Sequence, residues 1–254
     1  MSHLEKIFIS VFFFSNSLYA VDVTEIYRLE DAFHSIDSQT LIVSDLDETL
    51  IEPVEDFGHS PWYKYLSKKL IAEGYDKKSA LNLLNHVWSR LQFDIDVNPI
   101  EPEAPRLLKK VEKKAYRILG LTARALWISE RTEQQLRKAK LKWKPFLRTQ
   151  NAWNHHLNEA VGLRGGILFA GNESKGEVLV KFLSDQKFKP GQIIFVDDLW
   201  KHTLSVRDAL DSVGIKNQCF KYLGSEERLK NFSPALAEAQ LEKYRCSHIL
   251  RELK

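Results

Sequence analysis

The feature that most constrains this chain is a repeated shape, a short apolar run that stops on an acid. Residues 41–44 (LIVS) run into Asp45-Leu46-Asp47, and residues 193–196 (IIFV) run into Asp197-Asp198. Runs of this length, bounded so sharply, predict strands buried on both faces, as in the middle of a parallel sheet. Residues 116–121 (YRILGL), 167–170 (ILFA) and 218–222 (QCFKY) supply three more candidates. Helical patterns fall between them, over 104–114, 130–142, 177–186, 204–213 and 233–250. The third of these places Val178, Leu179, Phe182 and Leu183 on one stripe. Strands that alternate with helices predict an α/β fold around a parallel sheet.

One stretch breaks the alternation. The connection between the first two strands is far longer than a crossover needs. Most of it reads as two helices. Trp62, Tyr65, Leu66 and Leu70 form one stripe, with Pro61 at a first helical turn, and Leu84, Val87, Trp88 and Leu91 form another. Prolines at 99, 102 and 105 then resist further helix. Residues 52–100 are therefore expected to form a small inserted helical domain, the alternative being a pair of surface helices on the main core. Its aromatic residues are expected to be the insertion's own packing.

The N-terminus carries Lys6, an apolar run and Ala20 before VDVTE, the pattern of an export signal over residues 1–20. The run is shorter than the roughly 20 apolar residues that a membrane helix needs. An uncleaved anchor or a buried first strand are the alternatives. Export to the periplasm or beyond is the expectation, with no stable membrane anchor once the signal is removed. A net charge of +3 gives no reason to expect a nucleic-acid partner. A basic run over 137–148 reads as a solvated helix face or as a rim that attracts anions. Cys219 and Cys246 suit either a disulfide of an exported protein or two free thiols. His155 and His156 read as a surface loop, since neighbouring side chains seldom converge on one ion.

The acids carry the chemistry. Asp45 and Asp47 lie at the carboxyl end of one strand and Asp197 and Asp198 at the end of another, the edge where open α/β sheets bind ligands. Carboxylates gathered there repel one another unless a cation or a shared proton relieves them, and a hard divalent ion with oxygen ligands fits that need. Between the two acidic pairs stand Leu121-Thr122-Ala123-Arg124, at a strand end, and Asn172-Glu173-Ser174-Lys175-Gly176, at a helix start suited to phosphate. Each signal alone is common. All four at strand ends, in this order, are much harder to dismiss.

In that order the motifs resemble the haloacid dehalogenase-like superfamily of phosphohydrolases. LIVSDLDETL at 41–50, ILGLTAR at 118–124, Lys175 before an amphipathic helix, and IIFVDD at 193–198 carry the resemblance. It implies a Rossmann-like three-layer sandwich, with a core of residues 21–51 and 101–254 and a helical cap at 52–100. It implies that Asp45 attacks phosphorus and that Asp47 protonates the leaving oxygen and then activates water. Thr122 and Lys175 would hold the phosphoryl group. Arg124 would touch the substrate or else form a salt bridge. Magnesium would be held by Asp45, by Asp47 through its backbone carbonyl, and by Asp197. Asp198 would bind it through water or orient a ligand. His202 stands where a small amide is expected, so its role is open. The acid at Asp47 favours phosphatase over dehalogenase chemistry, since halide leaves without a proton. A small phosphate monoester is the expected substrate. Phosphate transfer to an alcohol, and a catalytically silent binding protein on the same fold, are the alternatives. A response-regulator receiver is rejected, because there the acidic pair precedes the phosphorylated aspartate.

Overall fold

The computed structural model describes residues 23–145, 153–154 and 158–243. The expected signal at 1–20, His155, His156, Cys246, Phe146 to Arg148 in the basic run and the end of the last predicted helix lie outside the described residues.

The strands are β1 (Thr24–Ile26), β2 (Thr40–Ser44), β3 (Ile51–Pro53), β4 (Val97–Pro99), β5 (Arg117–Thr122), β6 (Trp153–Asn154), β7 (Gly162–Arg164), β8 (Ile167–Phe169), β9 (Gln192–Asp197) and β10 (Asn217–Tyr222). Eight of them form one sheet in the order β1-β10-β9-β2-β5-β8-β7-β6. From β1 to β8 every pairing is parallel, and β7 and β6 extend the sheet antiparallel. All five strands expected from the apolar runs are present. The other three in this sheet are only two or three residues long, too short to leave a periodic signal.

The helices are α1 (Ser60–Ala72), α2 (Lys77–Leu91), α3 (Ala104–Glu112), α4 (Ser129–Lys138), α5 (Lys175–Asp185), α6 (Trp200–Ser212), α7 (Glu226–Lys230) and α8 (Pro234–Lys243). Alternation along the strands sorts the core into two layers. Ile42, Ile118, Ile194 and Val196 pack with Leu108 and Val111 of α3 and Leu136 of α4. Leu41, Val43, Leu119, Ile193 and Phe195 pack with Val178, Leu179 and Phe182 of α5 and Val206 and Leu210 of α6. Helices thus cover both faces, the three-layer α/β architecture.

The insertion has a third, separate cluster. Phe57, Trp62, Leu66, Leu70, Leu84, Val87 and Leu91 pack together above a ribbon made by β3 and β4. Asp76 caps α2 by accepting from the Lys78 and Ser79 amides. Helix α8, expected to close the core, instead lends Ala237 and Leu241 to this cluster. Tyr65 is only partly buried, and its hydroxyl donates to Glu238 of α8 at 2.7 Å.

The chain proceeds from β2 to β5 and β8 on one side, then returns to β9 and β10 on the other side of β2. Strand order therefore reverses between β2 and β9, and the two loops that leave those strands diverge and open a crevice.

Candidate active site

Asp45 and Asp197 leave β2 and β9 on either side of that reversal. The Asp45 amide donates to the Val196 carbonyl at 2.9 Å, so the loop that leaves β2 is stitched to the neighbouring strand. Beyond Asp45 the chain turns tightly, the Leu46 carbonyl accepting from the amides of Thr49, Leu50 and Ile51. The turn needs a left-handed residue and uses Glu48, at φ 59°. A non-glycine residue there is uncommon and is held by its surroundings. The Glu48 carboxylate accepts from His59 Nδ1 at 2.9 Å and from the Ser60 amide at 3.2 Å, which ties the turn to the start of α1.

Lys175 begins α5, with Ser174 as its N-cap. Its ammonium donates to Asp45 Oδ1 at 2.6 Å and to Asp197 Oδ2 at 2.7 Å. Gly176 lets α5 come this close, since a Cβ there would collide with the Ser205 carbonyl of α6. Thr49 Oγ1 joins the two acidic motifs, accepting from the Asp198 amide at 3.1 Å and lying 3.4 Å from Asp45 Oδ2. Asp197 Oδ1 accepts from the Leu199 amide at 2.8 Å. His202 Nδ1 stands 3.5 Å from Asp197 Oδ2, so this histidine adjoins the acids from α6.

Asp45, Asp197 and Asp198 bring carboxylate oxygens within 4.8 Å of one another, all three buried. Burial pushes the Asp45 carboxyl up to about 6, with Asp197 and Asp47 adding to it and Lys175 opposing. Asp198 is raised well above its ordinary range by burial and by Asp45 and Asp197. Asp197 is lowered despite its burial, because Lys175 and His202 outweigh it. Burial likewise works against the Lys175 charge, but the two aspartates hold its ammonium above the usual range. Three carboxylates thus face one ammonium, which leaves two negative charges uncompensated when all are ionised. A dication with oxygen ligands would restore the balance, so these residues fit a metal such as magnesium.

The Asp47 side chain stands apart from the three acids, which leaves its main-chain carbonyl as the group the resemblance offers to a metal. That side chain receives Arg124, with Nε donating to Oδ2 at 2.8 Å and Nη2 to Oδ1 at 2.7 Å.

Arg124 departs from the substrate-contact reading. Nη1 donates to Thr132 at 3.1 Å and Gln135 at 2.6 Å, and Nη2 donates to Gln92 at 3.1 Å as well as to Asp47. With Nε, that commits all five guanidinium donors to the protein. The side chain is 1% exposed, and its guanidinium lies 5.3 Å from the centre of the Trp88 ring. Arg124 is a clamp on Asp47, the salt-bridge alternative. Thr122 is buried at the end of β5, where its Oγ1 accepts from the Arg124 amide at 3.1 Å. Ala123 and Arg124, not Thr122, form the cavity wall at this loop.

The acids open into a cavity of about 480 Å³ between sheet edge and insertion. Asp45, Asp47, Lys175 and Asp198 line its floor, while Tyr63, Lys64, Asn85 and Trp88 come from α1 and α2. A cap over the site was expected from sequence, but the residues it contributes were not named. Trp88 read as packing because it sits on the apolar stripe of α2, yet it is only partly buried and its Nε1 donates to the Gly58 carbonyl at 3.0 Å. Lys64 and Lys201 also reach the cavity, and among the described residues neither pairs with a carboxylate.

Residues 22–253 match the family described as "Protein of unknown function (DUF2608)". The chain belongs to the DUF2608 family. A relative of this DUF2608 chain from Chlamydia trachomatis, named "Putative outer membrane protein", is 23% identical and covers 88% of this chain and 84% of its own. A Chlamydia pneumoniae relative with that designation is 24% identical over 92% of this chain and 90% of its own. Among the described residues no helix is long and apolar enough to cross a membrane. Of solved structures, a haloacid dehalogenase-like hydrolase from Streptococcus pneumoniae is similar at 17% identity and TM-score 0.43, covering 77% of this chain and 91% of that one. The HAD domain of the effector Lem4 from Legionella pneumophila is similar at 12% identity and TM-score 0.39, covering 83% and 100%. The DUF2608 chain has a haloacid dehalogenase-like fold, an assignment that rests on its own strand order and on the four motifs at the ends of β2, β5, β8 and β9.

Proposed function

We propose that this chain is a magnesium-dependent phosphatase that hydrolyses a phosphate monoester through a phosphoaspartate on Asp45. One observation carries the reading. A buried carboxylate at the point where strand order reverses is held by a lysine, adjoins two further acids, and faces a cavity with two unpaired lysines.

In the first step an Asp45 carboxylate oxygen forms a bond to phosphorus as the ester P–O bond breaks. Asp47, which must enter this step protonated with one of its two Arg124 hydrogen bonds released, gives its proton to the departing alcohol oxygen. In the second step Asp47 takes a proton from water, the water oxygen attacks phosphorus, and the Asp45 carboxylate leaves. Lys175 offsets charge on Asp45 throughout, and Lys64 and Lys201 draw the anionic ester in. The Thr122 hydroxyl proton remains to bind a phosphoryl oxygen, whereas the Gly176 and Glu177 amides at the start of α5 already donate to Ser205 Oγ and Ser174 Oγ. Asp45, Asp197 and Asp198 would hold the magnesium ion, which when bound neutralises phosphoryl charge. The insertion acts as the cap that covers these steps.

Purified protein assayed over a panel of phosphate esters, with and without magnesium, tests this. Turnover that needs magnesium and disappears in Asp45→Asn is expected. Normal turnover by Asp45→Asn would refute the covalent route. The N-terminal pattern and the relatives' names also support export, and a mature N-terminus near Val21 outside the cytoplasm is expected by mass spectrometry. An intact N-terminus on cytoplasmic protein would overturn it.

A further inference from the structure

Beside the main cavity lies a second lobe of about 240 Å³. The two share walls from Asn85 and Trp88 on α2 and from Arg124 and Asn172 on the core side. The lobe's own walls are His86 and Ser89 of α2, Ala125, Ala160 and Trp127, three residues after Arg124, and the chemistry above uses none of them. Trp127 is 52% exposed, unusual for so large an apolar ring at a cleft. The His86 and Trp127 ring centres are 6.4 Å apart, with 34° between their planes. A flat ring slipped between two others needs walls about 7 Å apart, twice the van der Waals contact distance. A small opening of α2 would therefore seat one planar ring. Phe93, two residues past the end of α2 and also 52% exposed, stacks on Trp127 at 6.3 Å with 19° between planes, which steadies the indole.

The surroundings of the slot are polar. Asn85 Nδ2 donates to Asn172 Oδ1 at 3.0 Å, bridging α2 to the loop before α5 where the lobes meet. The exposed His86 imidazole and the Ser89 hydroxyl also face the lobe. Hydrogen-bonding groups beside a ring-sized slot favour a heteroaromatic ring over a bare hydrocarbon.

We propose that this lobe binds the base of a nucleoside monophosphate. Its phosphate would occupy the main cavity, its sugar the Asn85–Asn172 bridge, and its base the slot between His86 and Trp127. The placement of the phosphate rests on the phosphatase reading, whereas recognition of the base does not depend on turnover.

The test is calorimetric titration of full-length Asp45→Asn protein, in magnesium, with adenosine 5′-monophosphate and with ribose 5-phosphate. Base stacking should make the nucleotide bind about tenfold tighter or more. Trp127→Ala added to Asp45→Asn should bring the two ligands to near-equal affinity while ribose 5-phosphate binds as before, and Trp127→Phe should keep most of the preference. Equal binding of both ligands by Asp45→Asn, binding of neither, or a preference that survives Trp127→Ala would overturn the proposal. Hydrolysis by the unmutated protein is scored separately. Turnover without base preference removes the lobe's role and leaves the phosphatase reading standing. Base preference without turnover of any ester does the reverse.

Discussion

The floor and the roof of this cavity are built on opposite terms. On the floor Asp45, Lys175 and Asp197 are at most 5% exposed, and every one is fixed by charged or backbone partners. The roof presents half-buried Tyr63 and Trp88 and an exposed Lys64, from a cluster with its own core. It meets the α5 side of the floor across the Asn85–Asn172 hydrogen bond. Under the proposed function the floor groups move protons and bond to phosphorus, which requires placement to a fraction of an ångström, and the rigidity of the floor suits that task. Groups that choose a substrate need only be near it.

Arg124 spans the two regions, because Asp47 is floor and Gln92 belongs to the insertion. Replacing it gives the largest contrast. Arg124→Lys keeps the charge but loses the fork that aims Asp47. Its kcat on an alkyl phosphate should fall about 100-fold with little change in KM. An aryl phosphate whose leaving group needs no proton should be affected far less. A change in KM alone, equal for both esters, would return Arg124 to substrate contact.

A roof variant should do the opposite. Lys64→Ala is expected to raise KM about fivefold at low salt, with kcat unchanged, and the effect should fade as salt rises. A loss in kcat of Arg124 size would erase the distinction between floor and roof.

The smallest effect belongs to the join beneath the roof. Asp96, beside β4, accepts from Lys138 of α4 at 2.9 Å, and Lys138, aided by Arg131, holds its carboxyl below the usual range. A depressed acid adds stability above its unfolded pKa of about 4, and that stability is lost as pH falls through the folded value. The pair is half exposed, so Asp96→Asn should cost at most about 0.5 kcal/mol at neutral pH. Thermal unfolding should show the difference closing at acid pH. A difference that grows on acidification would contradict the pairing.

The same contrast governs how much could be read from sequence. Central strands buried on both faces announce themselves as apolar runs, and the acids that end them are adjacent in the chain, so β2, β9 and their motifs were legible. The insertion was legible as two amphipathic helices. The clamp on Asp47 was not, because positions 47, 92, 124, 132 and 135 meet only through the fold. Trp88 was misread because one face of an amphipathic helix looks alike whether it meets a core or a cavity. Helix α8 was assigned to the core because a helical stripe says nothing of which neighbour it covers. Cys219, buried in β10 with its thiol pushed up to about 12 by burial, is an inert packing residue. Its spacing from Cys246 carried no such information.

The central claim is that Asp45 carries the phosphoryl group. The direct measurement is mass spectrometry of acid-quenched Asp47→Asn protein after exposure to magnesium and an aryl phosphate whose leaving group needs no proton, since phosphoryl transfer to Asp45 then proceeds while loss of the water-activating carboxylate should let the intermediate accumulate. One phosphoryl group on the peptide that contains Asp45, absent when Asp45 is also changed to Asn, is the predicted result. A phosphoryl group on another residue, or full turnover by the Asp45→Asn protein, would contradict it.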